Sequence, residues 1–401
     1  MIFEQRVKQA LSRRQEQGLL RHTEIFRQGQ LLTHSHLEQP LVNFSSNDYL
    51  GLAQDKELIS VWQQGLSLYG CGSGASPVVT GTTQAHADLK ARLCEWLGYP
   101  SAILLSSGFS ANQALIFTLL KQGDLLLQDK LNHASLIEAG LLSPTEMVRF
   151  KHNDLDDLHK KLTKVSTKQV AKLIISEGVF SMDGDQAPVL QLMTLAQSQQ
   201  AWLALDDAHG LGVLGEFGGG TVEVTGIKPT LLVVTFGKAL GISGAAILCD
   251  QATGEYLTQF ARHYVYSTAM PPAQAYALNH SINMVQQQKW RREKLAELSA
   301  YFQDKVGKMP HYRATQTTIK PWICGRSEDA LALSDELKQQ DLWVGAIRPP
   351  TVTANAARLR ITLNATHSKH DIERLSQALQ RFYGERGNSQ LIASQQEKAH
   401  G

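Results

Sequence analysis

Between residues 101 and 249 the chain repeats one pattern seven times: a short apolar run, then polar sequence compatible with a helix. The runs are Ala102–Leu105, Leu125–Gln128, Met147–Phe150, Lys172–Ser176, Ala201–Leu205, Leu231–Thr235 and Ala245–Cys249. Such runs are too short for helices. They also lack the alternation of a strand with one wet face, so they fit strands covered on both sides. Strands of this kind alternating with helices predict an α/β fold with a mostly parallel seven-stranded sheet. Open sheets of that class bind ligands just beyond the carboxyl ends of their strands. The residues that follow each run are therefore where chemistry is expected.

Outside this region the texture changes. Ile2 to Arg21 mixes apolar and charged residues at helical spacing, which predicts a solvated helix. Trp290–Val306, Ser327–Gln340 and Ser368–Tyr383 read as further helices. Between them, Arg358 to Leu363 alternates strictly, placing Arg358, Arg360 and Thr362 on one face of a strand. The expected organisation is an N-terminal helix and arm (1–45), a large α/β domain (46–285), a small C-terminal α+β domain (286–384) and a polar tail (385–401).

Composition removes several classes of function. Thirty-nine basic against 37 acidic residues leave a net charge of +2, which gives no reason to expect a nucleic-acid or membrane partner. No apolar run approaches the roughly 18–20 residues of a membrane helix. Met1–Gln9 lacks the apolar centre of a signal peptide. The four cysteines are scattered without a CxxC pair, and Cys94 and Cys249 read as small buried hydrophobes. A reducing cytoplasm is the expected setting.

Some motifs mislead. Gly210, Gly212 and Gly215 match a dinucleotide fingerprint, but Asp206–His209 separate them from the strand end and no acidic partner ends the next run. Phe236–Ala239 lacks the upstream glycine and hydroxyl residue of a P-loop. His34 with His36, and His367 with His370, lack accompanying carboxylates or thiols and read as surface or capping residues; no metal site is expected.

What survives is a row of polar residues at successive strand ends. They are Ser106–Asn112, Asp129–Ser135 with His133, Glu177–Gly184 with Ser181, Asp206–His209, and Thr235–Lys238. A small-residue turn that opens a helix can bind an anion such as phosphate, although alone it is equally a plain helix cap. A lysine in a glycine-rich turn can lose its hydration and form a Schiff base. A carboxylate at the next strand end can keep a pyridine nitrogen protonated and make that ring an electron sink.

These stretches resemble the α-oxoamine synthases, pyridoxal 5'-phosphate enzymes of fold type I with a large sheet domain and a small α+β domain. The resemblance runs from Arg21 to the last helix. It is strongest in Asn43–Leu52, Ser107–Gln113, Glu177–Asp185, Val234–Lys238 and Arg348–Thr351. It implies that Lys238 carries the cofactor, Asp206 pairs with the ring nitrogen, His209 meets the phenolic oxygen and His133 stacks on the ring. Catalysis would then rest on Lys238, His133 and Asp206. Gly108, Phe109, Ser181 and Thr235 match further cofactor contacts. Phe109 acts there through its backbone or is simply core. Arg21, Asn47, His133, Arg348, Thr351 and Arg360 match substrate positions, with Arg360 on the amino-acid carboxylate. Taken alone, Arg21 reads as one more charge on a solvated helix and Thr351 as a turn residue.

Ser267 and Thr268 match residues that reach the neighbouring subunit's phosphate, which implies a homodimer with shared sites. The reaction implied is a decarboxylative condensation of L-alanine with a pimeloyl thioester, carried on CoA or an acyl-carrier protein. Sister members such as glycine C-acetyltransferase and 5-aminolevulinate synthase share the motifs and differ in both substrates. Around Ser73–Pro77 the chain departs from relatives that carry a basic residue there, which bears on thioester recognition.

Overall fold

All seven apolar runs become strands of one sheet. They are β1 (Ser101–Leu105), β2 (Leu125–Asp129), β3 (Glu146–Phe150), β4 (Lys172–Glu177), β5 (Trp202–Asp206), β6 (Leu231–Thr235) and β7 (Ala245–Cys249). The structure, a computed structural model, describes residues 1–21, 23–27, 32–34, 40–165 and 170–399. The spatial order is β1-β7-β6-β5-β4-β2-β3. Neighbours from β6 through β3 are parallel, whereas β7 is antiparallel to both β6 and β1. The first six strands therefore send their carboxyl ends to one edge, where β7 presents its amino end. Residues of β2, β5 and β7 are nearly all buried, as continuous apolar runs require.

The chain divides into two compact units: one of Asn47–Ala296 with Asn364–Thr366, the other of Met1–Ser46, Glu297–Leu363 and His367–Gly401. The first holds the large sheet. In the second, Ile319–Gly325, Ala357–Thr362 and Ala346–Ile347 form an antiparallel sheet in that order. Pro40–Asn43 pairs in parallel with Leu342–Trp343, which ties the N-terminal segment to the C-terminal one. All six residues of Ala357–Thr362 are buried, so the alternation in sequence separates two covered faces, with Arg358, Arg360 and Thr362 on the polar one.

Several expectations are corrected. The first helix is Ile2–Glu16 and buries none of its residues. The last helix begins at Lys369 and its backbone continues to Ala399, past the Tyr383 end expected for it and through the polar tail. Cys249 is buried, but Cys94 is only half-buried on the helix Gln84–Leu97. His367 is buried rather than a surface residue, and its Nε2 lies 3.0 Å from the Asn43 carbonyl oxygen. His36 lies outside the described residues. Gly210–Gly215 forms turns and opens no helix, so the fingerprint is indeed a decoy. Among the described residues no helix is long and apolar enough to cross a membrane.

Candidate active site

At the shared strand edge lies a cavity of about 280 Å³, built entirely from the large-sheet unit. Asp206, the last residue of β5, is 6% exposed. One of its carboxylate oxygens accepts from Asn112 Nδ2 at 2.8 Å and the other from the Ala208 N–H at 3.0 Å. Donors on both oxygens orient the anion and leave lone pairs for a further donor from the cavity.

Lys238 stands three residues beyond β6, with its Nζ 2.7 Å from His209 Nε2. The other ring nitrogen, Nδ1, lies 2.5 Å from the buried Tyr49 hydroxyl.

His133 caps the helix Ala134–Leu142: its Nδ1 accepts the Ser135 N–H at 3.3 Å and lies 2.8 Å from Ser135 Oγ. An accepting Nδ1 puts the ring proton on Nε2. Desolvation lowers the pKa of this imidazole and Lys238 adds to that, against an opposing pull from Asp206, so the ring is held neutral. Its backbone N–H donates to Glu177 Oε1 at 2.5 Å. Burial, and next the charge of Asp206, raise the Glu177 carboxyl well above the usual range, which favours its neutral form.

A cradle for an anion lies at the end of β1. Ser107 Oγ caps the helix Gly108–Leu119 by accepting the Ser110 N–H at 3.1 Å. A Cβ on Gly108 would come within 2.4 Å of Thr235 Cγ2, so only glycine lets the helix approach β6 this closely. Beside it, Thr235 Oγ1 is buried with no hydrogen-bond partner. An unmet hydroxyl next to a helix N-terminus is the donor set a phosphate needs. With Lys238 and Asp206 also on this edge, the residues fit a phosphorylated pyridine aldehyde.

Residues 39–379 match the family model for aminotransferase class I and II. An 8-amino-7-oxononanoate synthase of Vibrio cholerae serotype O1 is 58% identical over 380 residues, which span 94% of this chain and 97% of that relative. The chain belongs to the 8-amino-7-oxononanoate synthase family. A family member from Vibrio vulnificus strain CMCP6 is 55% identical and covers 96% of this chain and 99% of its own. Among solved structures, Sphingomonas wittichii serine palmitoyltransferase superposes with a TM-score of 0.86 at 28% identity, covering 94% of this chain and 96% of that one. The Francisella tularensis 8-amino-7-oxononanoate synthase gives 0.74 at 28%, covering 86% and 99%. The serine palmitoyltransferase of S. paucimobilis, which superposes at 0.86 with 26% identity over 92% and 94%, was solved with bound pyridoxal phosphate as a myriocin adduct. This synthase is accordingly a pyridoxal 5'-phosphate enzyme of fold type I.

Of the residues expected in the synthase site, Asn47, Gly108, Phe109, His133, Asp206, His209, Thr235 and Lys238 line the cavity. Phe109 is 41% exposed, so it is not core. Ser181 is half-buried in the turn after β4 and is not among the lining residues; Ser267 and Thr268 are exposed and do not line it either. The second unit gathers Arg21, Arg348 and Thr351: Arg21 Nη2 donates to Thr351 Oγ1 at 3.3 Å, and the Thr351 N–H to the Arg348 carbonyl at 3.1 Å. Arg360 lies in that unit too, 8% exposed, with Nη1 donating to Thr362 Oγ1 at 3.3 Å.

Sequence reasoning passed over Asn112, Glu177 and Tyr49. All three stand inside the motif stretches, but no residue-type rule says that an Asn orients a carboxylate across 94 positions. The only signal was their position within those stretches.

Proposed function

We propose that the protein condenses L-alanine with a pimeloyl thioester, delivered on CoA or on an acyl-carrier protein, to give 8-amino-7-oxononanoate, CO2 and the free thiol, a step of biotin biosynthesis. The observation that carries the chemistry is the joint placement of Lys238, Asp206 and the Gly108–Thr235 cradle on one sheet edge. The 58% identity to a named synthase supports the substrate pair. When bound, the cofactor supplies an electron sink that stabilises negative charge at the Cα of alanine. Lys238 and Asp206 would anchor it, Gly108, Thr235 and Ser181 would hold its phosphate, and His209 and the neutral His133 ring would hold its ring.

Arg360 holds the carboxylate of alanine, while Arg21, Asn47, Arg348 and Thr351 bind on the substrate side. Lys238 Nζ removes the Cα proton. A C–C bond then forms from Cα to the acyl carbonyl carbon while the C–S bond breaks and the thiol leaves. Loss of the carboxylate as CO2 follows, and a proton returns to Cα. Ser267 and Thr268 serve the partner subunit of a homodimer, in which each site draws on both chains.

The decisive experiment is a grid of alanine, glycine and serine against pimeloyl, acetyl, succinyl and palmitoyl thioesters. Alanine with pimeloyl is expected to turn over fastest, and any faster pair overturns the substrate assignment.

A further inference from the structure

We propose that Tyr49 is a positioning residue that sets which nitrogen of His209 carries the proton, and through it whether Lys238 is an ammonium or a free amine. The inference rests on the reading of Lys238 as the base of the site. Tyr49, His209 and Lys238 form one chain: Oη to Nδ1 at 2.5 Å and Nε2 to Nζ at 2.7 Å, with Tyr49 Oη 3.4 Å from Asn47 Oδ1. An ammonium has donors only. Opposite it, Nε2 must accept, so Nδ1 carries the ring proton and donates it to the Tyr49 oxygen, whose own O–H turns to Asn47. A neutral amine has a lone pair. Opposite that, Nε2–H can donate, Nδ1 accepts, and the Tyr49 O–H turns to Nδ1.

Tyr49 meets both arrangements because a phenol can donate or accept in the same place. Between them the balance is one proton. Nζ gives a proton to Nε2, Nδ1 gives one to the Tyr49 oxygen, and the hydroxyl proton leaves on the side of Asn47, which lines the cavity. Tyr49 is fully buried, so water cannot take over its role.

Phenylalanine at this position keeps the ring and removes the switch. An orphaned buried N–H costs more than an orphaned ring lone pair. Tyr49→Phe therefore extends the Nε2–H form, and with it the amine, to lower pH. Other titratable groups act on Lys238: Asp206, Asp207, Glu177 and His133 all couple to the site electrostatically, and Asp48 adjoins Tyr49 in the chain. None of them changes in the substitution.

The test uses ¹⁵N-histidine NMR of the cofactor-free protein, with the His209 signal assigned from a His209→Asn sample. In the unaltered protein its ring should pass from Nδ1–H to Nε2–H as Lys238 loses its proton. In Tyr49→Phe that passage should come at a pH about one unit lower. The pH midpoint of the rate at which Lys238 captures added pyridoxal phosphate, followed by absorbance, should fall by about one unit. In a His209→Asn background the further change Tyr49→Phe should move that midpoint no more.

An unchanged His209 signal in Tyr49→Phe, or an equal midpoint shift in both backgrounds, overturns the proposal. If pyridoxal phosphate is not captured by Lys238 at all, the reading of Lys238 itself fails. Capture with an unmoved midpoint sinks only the role of Tyr49.

Discussion

Lys238 and Asp206 divide the chemistry by what burial allows each to do. Two donors, Asn112 Nδ2 and the Ala208 N–H, hold the oxygens of Asp206 in place. Replacement by asparagine keeps the shape and removes the charge. Asp206→Asn should therefore still bind the cofactor while exchanging the α-proton of alanine about 10²–10⁴-fold more slowly, followed by NMR loss of that proton in D2O. Lys238→Ala should lose both turnover and the visible band of the bound cofactor, and a coloured, active variant would remove Lys238 from its role. These two residues were legible because a lysine and an aspartate just beyond apolar strands have few structural reasons to be there. Asn112 and Tyr49 were not. Asn112 gains its role only once the helix Gly108–Leu119 meets β5, and Tyr49 only once its loop meets His209.

At the scale of elements, strand ends are held by a second set of groups that the motifs did not announce. His152, just past β3, lies 3.0 Å from Asp129 Oδ1 at the end of β2 and 2.7 Å from Asp185 Oδ2 in the turn after β4. Burial opposes its charged form, but hydrogen bonds to the two carboxylates prevail and lift its pKa from 6.5 to about 10. The stabilisation from this pairing is full below the unfolded value of 6.5 and is lost as pH rises through about 10. His152→Ala should cost about 3 kcal/mol, because it removes the cation from the fully buried Asp129 carboxylate and leaves it the Leu131 and Asn153 N–H donors. Urea denaturation at pH 6 and pH 10 checks both statements: the gap between the two proteins should narrow at the higher pH. The seven strands were legible from apolar runs alone. The last helix was misjudged beyond Tyr383, because the polar sequence after it gives no periodic signal.

For the whole molecule, the second unit contributes its own part of the acid limb of stability. Burial, partly offset by its bond to Asn43, lowers the pKa of His367 from 6.5 to about 4. That imidazole is neutral when folded, so its contribution is present above 6.5 and drains away as pH falls toward 4. His367→Gln should flatten the loss of thermal stability between pH 6.5 and 4, read as a smaller drop in Tm. The net charge of +2 gives no reason to expect nucleic acid as a partner. A sum over the chain is silent about local patches, however, and so about how a thioester carrier would dock.

The antiparallel strand β7 also sets a timetable for synthesis. In the sheet β1 has one neighbour only, and the pair runs from Ser101 opposite Cys249 to Leu105 opposite Ala245. At about 5–20 residues per second, a ribosome needs roughly ten to thirty seconds to go from the first strand to the last. Throughout that interval the phosphate cradle after β1 has no β7 to dock against. A nascent chain stopped before Ala245 should therefore fail to retain pyridoxal phosphate, and the vitamin enters only a chain whose large sheet has been fully translated.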